Sequence, residues 1–168
     1  MEQYNEIYKQ HYATIYRMVS KFPLNRHETE DIVQEAFIKL YLQLESGGTI
    51  QYPKAWLYKV ATNICLNTVT RRKETQLLEV VNDSELGECD SFESEIENNE
   101  QECNIKEALL NLKEHERLIV ILYSEGLSYK EIAEISGVRF SSVSKSLSRA
   151  LEKLKPLLKN QYHEMLNQ

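Results

Sequence analysis

The residues of this 168-residue chain best equipped for chemistry are hydrogen-bond donors and cations strung along helical patterns, not nucleophiles beside bases. Lys54, Lys59, Asn63, Asn67, Arg71, Arg72 and Lys73 recur along one stretch that has Trp56 near its start. Cations so placed hold phosphates, and an aromatic ring stacks or wedges against unpaired bases. Core packing is the plainer role for Trp56, and Arg71–Lys73 also suits a helix C-terminus, where the macrodipole favours cations. Near the other end, Arg139, Ser141, Ser142, Ser144, Lys145, Ser146 and Arg149 offer short hydroxyls and three cations. A third set, Asp31, Gln34, Glu35 and Ile38, is spaced by three and four on the less apolar side of a helical pattern. That spacing fits a solvated face and a docking surface for a partner equally well.

Enzyme chemistry is not expected. His11, His27, His115 and His163 do not group with carboxylates at ligand spacing, and no HExxH, GxSxG or Walker sequence occurs. Gly47-Gly48 lacks the Gly-Lys-Ser/Thr ending of a phosphate loop. Cys65, Cys89 and Cys103 have no CxxC spacing, which indicates reduced thiols and neither a disulfide framework nor a zinc site. No catalytic residue, metal, cofactor or small-molecule substrate is therefore expected. The polar start MEQYNEIYKQ lacks the apolar run of a signal peptide, and no stretch approaches the roughly 18 apolar residues of a membrane span. A cytoplasmic location is the expectation.

The net charge of −6 at first argues against a nucleic-acid partner, but the charge is unevenly spread. Residues 74–107 carry twelve acids and one base, so the flanking parts, with fourteen acids and nineteen bases, sum to about +5. An acidic tether between two mildly basic lobes fits a protein that touches DNA twice.

The elements that must position these residues are helical throughout. Tyr4, Ile7, Tyr8, Tyr12, Ile15, Tyr16 and Val19 form one face over 3–21, closed by Phe22-Pro23-Leu24-Asn25. A second helix, about 28–44, has the stripe Ile32, Val33, Ala36, Phe37, Leu40, Tyr41 and Leu44. Pro53 suits the first position of a third, with Trp56, Leu57, Val60, Ala61 and Ile64 as its apolar positions. From Glu74 to about Cys103 the periodicity dissolves into a linker with at most short helical turns. It resumes with Ile105, Ala108, Leu109 and Leu112, then Leu118 to Tyr123. The strongest local signal follows: Ser128 and Glu131 form a capping box, Ala133 is small, Gly137 sits where the chain must turn with positive φ, and Val143, Leu147, Ala150, Leu151 and Leu154 line a second helix. That is the pattern of a helix-turn-helix whose second helix enters the major groove. The fold class expected is all-α, with two small helical domains, 1–74 and 104–168, joined by an acidic linker at 75–103.

Three stretches together resemble the extracytoplasmic-function group of bacterial sigma factors, within the sigma-70 family. TEDIVQEAFIKLYLQL is similar to the σ2 helix that docks on RNA polymerase, YPKAWLYKVATNICLNTVTRRK to the segment that reads and melts the promoter −10 element, and LLNLKEHERLIVILYSEGLSYKEIAEISGVRFSSVSKSLSRALEKLK to the σ4 domain. The resemblance implies a sigma factor that directs core RNA polymerase to promoters and helps open them. Asp31, Gln34, Glu35 and Ile38 would bind the β′ clamp helices. Asn63 would hold a flipped-out −10 base beside the loop preceding Pro53, with Trp56, Lys59, Asn67 and Arg71-Arg72-Lys73 in the same segment. Arg139, Ser141, Ser142, Ser144, Lys145, Ser146 and Arg149 would lie on or beside the helix reading the −35 element. The implied partners are core polymerase (β′ clamp helices and β flap), promoter DNA and, as for many members, an anti-sigma factor. The chain departs from the family pattern at Ser144 and Ser146, where a base is frequent, at Arg139, where a capping Ser is, and at Asn67, where an acid is. The alternative reading is a stand-alone helix-turn-helix regulator, which would need a sensor or receiver in place of the N-terminal half.

Overall fold

The computed structural model describes residues 2–79 and 98–166, with side chains described for 2–76 and 104–158. Among the described residues the regular structure is entirely helical: α1 (Glu2–Ser20), α2 (Arg26–Glu45), α3 (Pro53–Glu79), α4 (Asn98–Leu110), α5 (Glu114–Ser124), α6 (Tyr129–Ser136) and α7 (Phe140–Leu166). The all-α expectation matches the structure.

Helices α1, α2 and α3 pack against one another. Ile15, Met18 and Val19 of α1 meet Val33, Ala36, Phe37 and Leu40 of α2 and Leu57, Ala61 and Cys65 of α3, all essentially without solvent contact. The tyrosines of α1 serve this core from its edge: the rings of Tyr8 and Tyr12 lie 4.9 and 5.9 Å from that of Phe37. Helix α2 begins two residues before the expected start because Asn25 caps it. The Asn25 side chain accepts from the Glu28 N–H, and the Glu28 carboxylate accepts from the Asn25 N–H.

Helices α4 to α7 form the second half, with α7 packed on α4, α5 and α6. Ser128 accepts from the Glu131 N–H at 3.2 Å and Glu131 accepts from the Ser128 N–H at 2.8 Å, which starts α6. Gly137 ends α6 with φ +73°, and its N–H donates to the Ala133 carbonyl. The chain then enters α7 with Val143, Leu147, Ala150 and Leu154 buried at helical spacing. Leu151, expected in that stripe, is exposed instead; it stands one residue beyond Ala150 and so points about 100° away from the seam. Glu116 ties α5 to α7 by accepting from Lys153 at 2.8 Å.

Helix reaches into both edges of the expected linker. Residues 75–79 extend α3 and residues 98–103 open α4, because neither segment contains the Gly or Pro that would stop a helix. The rest of the acidic stretch, 80–97 with Cys89, lies outside the described residues.

A Cβ placed on Gly137 would meet nothing within 4 Å. The cost of Gly137→Ala is therefore backbone strain alone, about 1–2 kcal/mol. Thermal or urea unfolding of the variant should show that loss with the helical circular dichroism of the native state unchanged.

Candidate nucleic-acid interface

On α2, the buried stripe Ile32, Val33, Ala36, Phe37 and Leu40 leaves Asp31, Gln34, Glu35 and Ile38 together on the solvent side. Ile38 is 56% exposed and Leu42, one turn on, 55%. Ile38 and Leu42 thus form an i, i+4 pair of exposed aliphatic side chains, rimmed by Asp31, Gln34, Glu35 and Lys39. Leu42 was not anticipated, although its place off the buried stripe was available as a signal. Glu35 pairs with Lys39 at 2.8 Å, a surface contact worth little to stability.

On α3, Lys59, Asn63, Asn67 and Arg71 lie exposed at spacings of four, one above the other. Trp56 is half-buried against the core. Tyr52, just before the helix, is 69% exposed and supplies an aromatic face that sequence reasoning did not single out. Arg72 is engaged within its own half: its guanidinium donates to the Pro23 carbonyl at 3.0 Å and pairs with Glu28, clamping α3 to the α1–α2 turn. Lys73 reaches Glu114 at 3.1 Å across an exposed gap.

On α7, Phe140, Ser141, Ser144, Lys145, Ser148 and Arg149 are exposed, Arg139 is exposed just before the helix, and Ser142 and Ser146 are half-buried. The face is thus a row of short hydroxyls with two cations. Phe140, 63% exposed at the first helical position, is the large apolar side chain on its leading end.

The two halves meet at Glu125, the C-cap of α5. Its side chain has no exposed surface. It accepts from Arg17 at 2.8 Å and Lys21 at 2.5 Å, both from the other half, and from the Tyr58 hydroxyl at 3.3 Å. Lys21 also donates to Ser124 at 2.7 Å. A carboxylate at a helix C-terminus is opposed by the helix dipole, so the cations of α1 and the turn after it are what hold it. Burial pushes the Glu125 carboxyl up, but the hydrogen bonds and charges of Arg17 and Lys21 outweigh burial and leave it below the ordinary 4.5. Burial and the neighbouring carboxylate push the Tyr58 hydroxyl upward. Beside this cluster Phe22, Pro23, Leu66 and Val69 face Glu114, Arg117 and Leu118 across a shallow groove.

No cluster of three metal-ligating side chains occurs among the described residues, and none of their helices is long and apolar enough to cross a membrane.

Two family models match in chain order. Residues 7–75, which hold α2 and most of α3, match Sigma-70 region 2, and residues 104–154, which hold the helix-turn-helix, match Sigma-70 region 4. The chain belongs to the extracytoplasmic-function RNA polymerase sigma factors. It is 30% identical over 171 residues to the ECF sigma factor SigW of Bacillus subtilis, covering 92% of this chain and 87% of that one. Against the ECF sigma factor SigE of Mycolicibacterium smegmatis it is 29% identical over 94% of its own length and 62% of the relative's. In fold, the sigma factor resembles RpoE of Bartonella quintana in its complex with the anti-sigma factor NepR, with a TM-score of 0.73, 22% identity, and coverage of 95% and 98% of the two chains. The matched regions leave the stand-alone regulator without support, because region 2 stands where a sensor would.

Glu116 is held low by the Lys153 hydrogen bond, against burial, with help from the Lys113 N–H. Both Glu116 and Glu125 thus have carboxyls depressed in the folded sigma factor. A depressed carboxyl contributes stability above its unfolded value, near 4.5, and that stability is lost as pH falls through the folded value. Urea midpoints followed from pH 7 down to pH 3 should therefore decline, and Glu116→Gln should be less stable than wild type at pH 7 but lose less over the same range.

Proposed function

We propose that this sigma factor docks on core RNA polymerase through the exposed face of α2, Asp31, Gln34, Glu35 and Ile38 with Leu42 added, and reads its promoter through two separate helices. Helix α3 offers Lys59, Asn63, Asn67 and Arg71 to the −10 element, with Trp56 and Tyr52 near its start. Helix α7 offers Ser141, Ser144, Lys145 and Arg149 to the −35 element, flanked by Arg139, Ser142 and Ser146. The observation that carries the reading is the pairing of these exposed faces with region 2 and region 4 matches in chain order. Arg72 acts in this account mainly as the clamp on α3, and Lys73 as a weak contact to the backbone or to Glu114.

The chemistry is binding, not bond breaking. Cations on α3 and α7 displace condensed counterions from phosphates. Bases drawn out at the −10 element cost a few kcal/mol of unstacking, offset by contacts in the receiving pocket. Mounting both readers on polymerase makes the second contact intramolecular, so each helix needs only modest affinity for its own element. The protein works in the cytoplasm, and the anti-sigma complex of its Bartonella structural neighbour makes an anti-sigma partner the natural candidate regulator here too.

Run-off transcription with purified core polymerase on a genomic promoter library tests the assignment. Lys145→Ala with Arg149→Ala should abolish dependence on a −35 element while leaving polymerase binding intact. Glu35→Lys, which sets a second cation beside Lys39, should weaken polymerase binding itself. Unchanged transcription by the first variant, or wild-type affinity of the second, refutes the corresponding face.

A further inference from the structure

The tyrosines of α1 carry more aromatic surface than the core uses. Tyr4, Tyr8, Tyr12 and Tyr16 stand four residues apart, with successive ring centroids 5.9, 5.0 and 6.2 Å from one another. A row of i, i+4 neighbours of that length runs about 18 Å along a helix. One side of the row meets α2. Phe37 lies 4.9 Å from Tyr8 and 5.9 Å from Tyr12, and Tyr41 stands edge-on to Tyr4 at 5.5 Å. The remaining ring surface stays in solvent: Tyr8 is 37% exposed, and Tyr4, Tyr12 and Tyr16 are half-buried.

Tyr41 carries this ribbon onto the exposed face of α2. It is the i+3 neighbour of Ile38, which is in turn the i−4 neighbour of Leu42. Aromatic ribbon and aliphatic pair therefore form one surface. Carboxylates border it. Glu45 accepts from the Tyr41 hydroxyl at 3.2 Å, Asp31 and Glu35 stand beside Ile38, and Lys39 is already held by Glu35. Burial and the neighbouring tyrosines push the hydroxyls of Tyr4 and Tyr12 up, so these rings stay neutral. Neutral ring faces bordered by acids favour a guanidinium or ammonium lying over them. Tyrosine also gives large, rigid contact area at an interface. Closing the edge of the core needs only apolar bulk, which leucine would supply. The region 2 match begins at residue 7, so Tyr4 adds a turn outside the matched family pattern.

We propose that Tyr4, Tyr8, Tyr12 and Tyr41 form a second part of the polymerase-docking surface, continuous with Ile38 and Leu42, and receive arginine or lysine side chains of a basic helical surface of core polymerase over their ring faces. The partner rests on α2 carrying the polymerase-docking face; the ribbon itself does not.

Binding of purified core polymerase by single variants tests the ring faces. Tyr8→Leu and Tyr41→Leu keep apolar bulk and helix propensity but remove the ring. Each should weaken binding about fivefold, the worth of one cation–π contact, with helical circular dichroism unchanged. Tyr8→Phe and Tyr41→Phe keep the ring and should bind as wild type. Leucine variants with wild-type affinity, or phenylalanine variants as weak as the leucine ones, overturn the ring contact. Glu45→Lys sets a cation beside Tyr41 and should weaken binding more at low salt than at high salt. Unchanged affinity at low salt overturns the basic character of the partner.

Hydroxyl-radical footprinting read by mass spectrometry measures the same surface on wild type. In the holoenzyme, Tyr4, Tyr8 and Tyr41 should be protected together with Ile38 and Leu42. Protection of Ile38 and Leu42 alone overturns the ribbon and leaves the α2 face standing. Protection of neither, with holoenzyme formed, overturns both. Protection in free sigma factor that grows with its own concentration assigns the ribbon to a second copy of the chain and overturns the proposal.

Discussion

A carboxylate shut away from water must find its compensation in protein, and the packing of the two halves of this sigma factor turns on how Glu125 finds it. Removing the partners of a buried charge typically costs about 3–5 kcal/mol, because the desolvated ion is left unanswered. Among the described residues no side chain of its own half pairs with the Glu125 carboxylate, which caps α5 where the dipole opposes a negative charge. Arg17, Lys21 and Tyr58 supply what is missing from α1, the turn after it and α3. The seam therefore carries a charged cluster, with an apolar groove around Phe22, Leu66 and Leu118 beside it. The buried apolar side chains of the two halves, Leu57 of α3 and Ile119 and Ile132 of α5 and α6 among them, belong to one continuous hydrophobic core.

What could be read in the sequence follows the range of the interactions involved. The helix-turn-helix was legible because its determinants are local: Ser128 and Glu131 three apart, Gly137 at the turn with φ +73°, Val143 buried just beyond. The exposed face of α2 was legible as the complement of a buried stripe. Glu125 was not, because its partner Arg17 is 108 positions away and nothing in periodicity pairs them. Arg72 shows the converse. Its place in a basic run suggested a phosphate contact, yet Glu28 and the Pro23 carbonyl occupy its guanidinium. Leu151 failed for a geometric reason, since one residue's rotation carries a side chain from core to solvent. Acid content also misled at the edges of the linker, where helix propensity carried α3 to Glu79 and began α4 at Asn98.

On the proposed assignment, the two reading helices are built differently for different targets. Helix α3 carries amides and cations one turn apart on a 27-residue element, with aromatics near its start. Such a surface grips a backbone and receives bases that have left the stack. Helix α7 carries hydroxyls that scarcely project, so shape and closeness of approach count for more than reach. With Lys145 and Arg149 as its main exposed cations, it leans less on charge than a helix with bases at Ser144 and Ser146 would. Its affinity for duplex DNA alone should accordingly be modest, which makes the tethering of the two halves on polymerase the larger source of selectivity.

The face of α2 lies open to solvent, with Ile38 and Leu42 exposed one turn apart. The helix that carries them is already fixed by its buried stripe of Ile32, Val33, Ala36, Phe37 and Leu40. A partner that covers these two side chains therefore meets a backbone whose ordering was completed at folding, so the entropic cost of binding there is confined to the side chains themselves.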